Sequence, residues 1–140
     1  MVWADLSGTA LRVSARVNHS LTAVPDRADA SESAPTSGRI YLFGGDDGQS
    51  PRNDCWVYDV ARDEWEEPEL RGERPSPRSR HSMTLVRHFR AETQTEDERL
   101  YLYGGVGTHT EVVHYLDLAT RTWVTPTPVG EEVLPLSLIH

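Results

Sequence analysis

Two stretches of this chain spell the same pattern, and that echo limits the fold more than any other feature. Arg39-Ile-Tyr-Leu-Phe-Gly44-Gly45 returns about sixty positions later as Arg99-Leu-Tyr-Leu-Tyr-Gly104-Gly105. Each copy runs on to an acidic strand end, Tyr58-Asp59 or Leu116-Asp117, and then to a tryptophan, Trp65 or Trp123. Upstream, Arg16-Val-Asn-His19-Ser20-Leu-Thr22-Ala-Val24 aligns with Arg78-Ser-Arg-His81-Ser82-Met-Thr84-Leu-Val86. A repeat of this length is one supersecondary unit copied along the chain. The connectors differ in length, as expected of loops.

Each copy predicts four short strands. The Arg-x-x-His-Ser segment is the first. The second, Ile40 to Phe43 or Leu100 to Tyr103, is an apolar run suited to burial on both faces, stopped by the double glycine. The third ends at Asp59 or Asp117 (Cys55 to Asp59, Val112 to Asp117), and the fourth starts at Trp65 or Trp123. Strands joined by turns, with no amphipathic helical period between them, predict an all-β chain of antiparallel meanders. The units fall at residues 14–68 and 76–126. Residues 1–13 (Trp3, Leu6, Gly8) match the end of a preceding unit, and 130–140 match the start of a following one. Two polar insertions, Pro25 to Gly38 and Arg87 to Glu98, exceed hairpin-loop length and are expected to be mobile.

Composition narrows the function. A formal charge of −8 disfavours nucleic acid, whose binding rests on neutralising phosphates, and disfavours anionic membrane surfaces equally. Cys55 is the single cysteine, so no internal disulfide forms, which suits a reducing setting: the cytoplasm, with the nucleus as alternative. No continuous apolar stretch marks a signal peptide or a membrane span.

The combination Gly72-x-x-Pro75, Arg78-x-x-His81-Ser82, Leu100-Tyr-Leu-Tyr-Gly-Gly105, Leu116-Asp117 and Trp123 resembles the kelch repeat, in the flavour of host-cell-factor proteins. The resemblance implies a β-propeller in which each repeat is one four-stranded blade. It implies structural roles for Arg16, His19, Ser20, Gly44, Gly45, Tyr58, Asp59 and Trp65 in one blade. The counterparts in the next are Arg78, His81, Ser82, Gly104, Gly105, Asp117 and Trp123. Leu116 stands where the family prefers tyrosine. Propellers close with about four to eight blades, so two blades belong to a longer propeller, the reading we favour, or several copies associate.

Reactive groups are weighed against repetition. His19 and His81, with His140 as a third, occupy equivalent positions, and membership of the motif explains them without a metal. The acids at Asp46-Asp47 and Asp63 to Glu67 lie in turns, and Asp46-Asp47-Gly48 lacks the ligand pattern of a calcium loop. Asn18-His19-Ser20 matches a glycosylation sequon by accident of the motif. Ser76 and Ser79, in a Pro- and Arg-rich connector, suit a proline-directed kinase less well than they suit a turn. We expect no cofactor, no metal and no catalytic residue. The leading expectation is a non-catalytic module that binds another protein. The alternative is part of a galactose-oxidase-like or other sugar-processing propeller, with Cys55 as its one candidate thiol.

A meander sorts its loops by parity. Connectors after the second strand and between blades share one end, namely Asp46 to Asp54, Val106 to Thr110 and Glu66 to Arg80. Kelch propellers commonly recognise proteins through loops on one face, which points to Arg52, Arg71, Arg74, Arg78 and His109 as partner contacts.

Overall fold

The structure is a computed structural model, and it describes residues 13–26 and 38–127. Among these residues there is no helix, and the strands form two stacked sheets and a small two-stranded one. Blade 1 contains β1 (Ser20–Pro25), β2 (Gly38–Phe43), β3 (Cys55–Asp59) and β4 (Glu64–Glu66), hydrogen-bonded in that order and all antiparallel. Blade 2 contains β7 (Ser82–Arg90), β8 (Thr95–Tyr103), β10 (His114–Asp117) and β11 (Thr122–Val124), again as a meander. The connector between blades adds β5 (Arg71–Gly72), parallel to β11 on the outer edge of blade 2. A small pair, β6 (Arg78–Ser79) with β9 (Val106–Gly107), ties the same connector to the loop after β8. The two meanders stack as propeller-like blades in an open pair, with no closed barrel among the described residues.

The doubly apolar second strands now have a physical reason. β2 presents Tyr41 and Phe43 to blade 2, and β8 presents Leu100 and Leu102 to blade 1. One core of Val24, Phe43, Cys55, Met83, Leu100, Leu102, Leu116 and Trp123 fills the space between the sheets. Phe43 meets Trp123 and His81 edge-on, with centroids 5.3 and 5.4 Å apart. Edge-to-face pairs of this kind add roughly 1 kcal/mol each beyond the area they bury.

The repeated aspartates cap the tight turns that precede the fourth strands. Asp59 Oδ1 accepts from the Arg62 N–H, and Asp117 Oδ1 accepts from the Ala119 and Thr120 N–H groups. The left-handed residue of each turn is Asp63 (φ 55°) or Arg121 (φ 56°), two positions before the tryptophan.

Three expectations need correction. Arg87 to Glu98 is not a loose loop, because it extends β7 and β8 into a ribbon around the turn at residues 91–94. Opposite charges face each other across it, with Arg87 on Glu98 at 2.7 Å and Arg90 on Asp97. Cross-strand charge pairs supply the order that apolar residues would otherwise give. The Arg-x-x-His segments do not form the first strands of the blades: Asn18 (φ 59°) and Arg80 (φ 60°) are left-handed, Arg78–Ser79 is the separate β6, and β1 and β7 start after the histidines, at Ser20 and Ser82. The third strand of blade 2 starts at His114, leaving Val112 in the preceding loop. The middle of the first insertion, the partial units at 1–12 and 130–140, and His140 lie outside the described residues.

Candidate functional site

The junction between the blades is built from the repeated motif. Gly44 and Gly45 end β2 at φ 67° and 99°, which side chains rarely adopt, and the glycines also admit blade 2 at close range. The Gly45 N–H donates to the Arg78 carbonyl at 2.9 Å, and a Cβ on Gly44 would lie 2.7 Å from the His81 ring. His81 Nε2 is 3.0 Å from both the Phe43 carbonyl and Ser20 Oγ, so it carries the proton and donates across the junction. Its Nδ1 is buried with no partner, leaving a second proton without an acceptor. Burial pushes the His81 pKa down to about 4 despite the bond to Phe43, and the Arg78 and His19 charges push the same way. The ring is neutral at pH 7 and serves as a latch. Thr22 Oγ1 adds a bond to the Met83 carbonyl at 2.9 Å.

The two repeated arginines are buried, and they differ in their partners. Arg16 lies against Asp54 in a two-pronged ion pair (2.6 and 2.9 Å) and donates to the Gly44 carbonyl. Asp54 also accepts from Trp56 Nε1 at 3.0 Å. Burial raises the Asp54 pKa, but the bonds from Arg16 and Trp56 and the Arg16 charge outweigh it and hold the carboxyl below its usual range. Arg78 keeps the carbonyl contact, to Gly104 at 3.4 Å, and takes Ser76 Oγ and the Ser76 carbonyl. Counted by strand register Val112 stands where Asp54 does, although the Gly104 N–H donates to the Thr110 carbonyl as Gly44 does to that of Asp54; among the described residues no carboxylate forms an ion pair with Arg78, and Glu111 acts on it only through its charge. Asp54 was missed in the sequence. The signal was available: an arginine in an apolar repeat needs a carboxylate, and Asp54 stands immediately before β3.

The aromatic repeat positions also diverge. Tyr58 packs on Trp65 at 5.2 Å and both are half-buried, whereas Leu116 and Trp123 are buried in the junction. Leucine at 116 removes a hydroxyl that would need a partner there. Tyr115, one place earlier, points to the other face, where Arg99 lies 4.4 Å above its ring and Tyr101 5.2 Å away.

The five arginine and histidine contacts expected at one loop end do not come together. Arg78 is fully buried and offers no surface to a partner. Arg71 lies at the opposite end, because the connector doubles back and the Arg71 N–H donates to the Arg121 carbonyl beside the turn after β10. Arg52, Arg74 and His109 remain at the expected end. Arg74 and His109 are exposed, and Arg52 is half-buried against Asp47 (3.1 Å) and Asp54 (3.7 Å). The loops of this end hold each other: the Arg78 N–H donates to the Arg52 carbonyl, Asn53 Nδ2 to the Pro75 carbonyl at 2.9 Å, and Ser76 Oγ to the Thr108 carbonyl. Ser79 is buried, whereas Ser76 is half-buried with its hydroxyl bonded to the Thr108 carbonyl. Asn18 is exposed, outside any strand.

The remaining chemistry is muted. Burial pushes the Cys55 thiol up to about 12, so it stays protonated in the core. No three His, Cys, Asp or Glu side chains converge to hold a metal among the described residues.

The fold and the junction define an open stretch of β-propeller in which the repeated residues join blade to blade. The chain matches the KLHDC2/KLHL20/DRC7 Kelch-repeats domain over residues 1–137, and it belongs to the kelch-repeat family, whose members are generally protein-interaction modules. It is similar to the Rab9 effector protein with kelch motifs of Xenopus laevis (29% identity over 71% of this chain and 26% of that protein). It is also similar to acyl-CoA-binding domain-containing protein 4 of Arabidopsis thaliana (32%, over 69% and 14%) and to human host cell factor 2 (28%, over 64% and 12%). The chain thus spans between about an eighth and a quarter of the length of these relatives. Among the described residues no helix is long and apolar enough to cross a membrane, which says nothing of β-barrels.

Proposed function

We propose that this chain is a non-catalytic interaction module, organised as blades at 14–68 and 76–126, that offers one loop end to another protein in the cytoplasm or nucleus. The observation that carries this reading is the mutual bonding of three loops at that end, through Arg52 with Arg78, Asn53 with Pro75 and Ser76 with Thr108. Loops ordered before contact lose less freedom on binding, and this lowers the cost of a specific interface. The repeated polar residues support the same reading from the other side. His81 and Arg16 are committed to the junction and to Asp54, and the Cys55 thiol is protonated. Arg74 and His109 are exposed on the surface these loops form, His109 3.8 Å from Glu111, and Arg52 lies at its edge.

The test places a photo-crosslinking residue at position 74, at 109, and at 62 in the turn after β3 on the opposite end. The reading expects a discrete adduct from 74 and 109 that unlabelled chain competes away, and none from 62. Equal labelling from all three positions refutes it.

A further inference from the structure

Arg16 and Arg78 hold equivalent places in the two blades, and only one of them has a counter-ion. Arg16 lies against Asp54 through two bonds of 2.6 and 2.9 Å. Arg78 is 0% exposed, yet its guanidinium is held by neutral oxygens only: the Ser76 and Gly104 carbonyls, and Ser76 Oγ at 3.0 Å from Nη2. Glu111 acts on it through its charge but is itself exposed and forms no ion pair with it. An interior cation without an anion is costly, since neutral dipoles replace only part of its lost hydration. Ser76, whose hydroxyl touches this cation, is half-buried. The sequence alone favours a turn for its connector, but in the structure residues 73–77 belong to no turn or strand, and Glu73, Arg74 and Pro77 are exposed. Prolines stand on both sides of Ser76. A residue before proline is confined to extended backbone, the form in which a kinase cleft takes its substrate, and Pro77 has no N–H to leave unpaired there.

We propose that Ser76 is a phosphorylation site and that its phosphate becomes the counter-ion Arg78 lacks. The donor is ATP, brought by a proline-directed serine/threonine kinase. Ser76 Oγ attacks the γ-phosphorus, the bond from that phosphorus to the bridging oxygen of the β-phosphate breaks, ADP leaves, and the hydroxyl proton passes to the kinase's base. The new group hangs from the same Oγ that already lies 3.0 Å from Nη2, so its outer oxygens are within reach of the guanidinium. Phosphoserine carries nearly two negative charges at pH 7, and arginine–phosphate pairs are of the strong, charge-assisted kind. Ser79 is not a second site, because it is buried and arginine, not proline, follows it. The modification also has a structural consequence. In the unmodified chain the Ser76 hydroxyl donates to the Thr108 carbonyl. Phosphorylation removes that proton and sets an anion beside the carbonyl oxygen, so one of the three ties that order the loop end is cut next to His109. That this cut alters partner binding rests on the interaction-module reading; the modification and its pairing with Arg78 do not.

Two measurements on the 140-residue chain test this. In the first, phosphoserine is installed at position 76 during synthesis and the phosphate is titrated by phosphorus NMR. Its second pKa, about 6 when free, is expected to fall to about 5 or below, because a guanidinium in contact favours the dianion. Arg78→Gln in the same phosphorylated chain is expected to return it to about 6. If that variant does not fold, Val112→Asp takes its place, giving the guanidinium a carboxylate and leaving the phosphate near 6. In the second, the unmodified chain is incubated with a mitogen-activated protein kinase and Mg-ATP, and the sites are mapped by mass spectrometry. Phosphate is expected at Ser76, and Ser76→Ala should lose that site alone; the exposed Ser50-Pro51 dipeptide reports that the kinase acts on this chain. A phosphate at position 76 that titrates at about 6 or above overturns the proposal. So does a lowered value that neither variant moves, or a folded chain that takes no phosphate at Ser76.

Discussion

Gly44 and Gly104 hold the same place in the repeat and the same left-handed backbone, φ 67° and 80°, yet only Gly44 is covered. Alanine at the two positions therefore separates backbone strain from interblade packing. At Gly104 the added methyl meets nothing within 4 Å, so the cost is the left-handed conformation, about 1–2 kcal/mol, offset by about 0.4–1 kcal/mol of lost unfolded-chain freedom. The net loss is about 1 kcal/mol. At Gly44 the methyl would lie 2.7 Å from His81 Cε1 and 2.8 Å from the Arg78 carbonyl. The ring can rotate away, but only by giving up its bond to Phe43, worth about 1 kcal/mol. The carbonyl is held by the Gly45 N–H and cannot yield, so overpacking adds about 1–3 kcal/mol. The expected loss for Gly44→Ala is about 3–5 kcal/mol.

Urea titration followed by tryptophan emission reads this difference, since Trp123 is buried on Phe43 at the junction. With a slope of about 2 kcal/mol per molar urea, Gly44→Ala should lower the midpoint by roughly 1.5–2.5 M and Gly104→Ala by about 0.5 M. The measurement belongs at low protein concentration. Equal losses in the dilute monomer, or a larger one at Gly104, would refute the assignment of Gly44 to blade packing.

Three further outcomes follow from the same contacts. The folded His81 ring resists protonation until about pH 4, against 6.5 for a free histidine, so between those values the unfolded chain binds more protons. Stability should therefore fall as pH drops from about 6.5 to 4; the ceiling is roughly 3 kcal/mol at 1.36 kcal/mol per pH unit, reduced to about 1–2 by the ring's partial access to water. His81→Gln should flatten that slope in urea titrations at pH 4.5 and 7. Asp54→Asn strands the Arg16 guanidinium and should cost about 3 kcal/mol, whereas Val112→Asp gives Arg78 the carboxylate it lacks and should raise Tm by a few degrees. Cys55 should react with a thiol reagent at pH 8 only after denaturation, because burial both blocks access and keeps the thiol protonated.

What could be read in the sequence and what could not divide along a physical line. Strand order, turns and the junction glycines follow from residues that act locally or recur at fixed offsets. Asp59 and Asp117 cap their own turns, and Gly44 and Gly104 set their own backbone angles, so each is legible without knowing the fold. Apolar second strands likewise announce burial, on both faces of β2 (Leu42 and Phe43) and on one face of β8 (Leu100 and Leu102). The errors came where the partner is distant or the chain changes direction. Arg78 reads as a surface arginine because nothing nearby shows that the Gly104 carbonyl, 26 residues on, and Ser76 enclose it. Arg71 was assigned by parity to the wrong end, since parity counts strands and cannot foresee a connector that doubles back to lie parallel to β11. The ribbon from Arg87 to Glu98 looked like a loop because order there is carried by charge pairs across strands, which composition alone reports as polarity. Repetition hid one more thing. Phe43 and Tyr103 read as the same residue doing the same job, and only the structure shows one sealed and the other open. A repeat names the contacts a unit can make; which of them are satisfied depends on its neighbours.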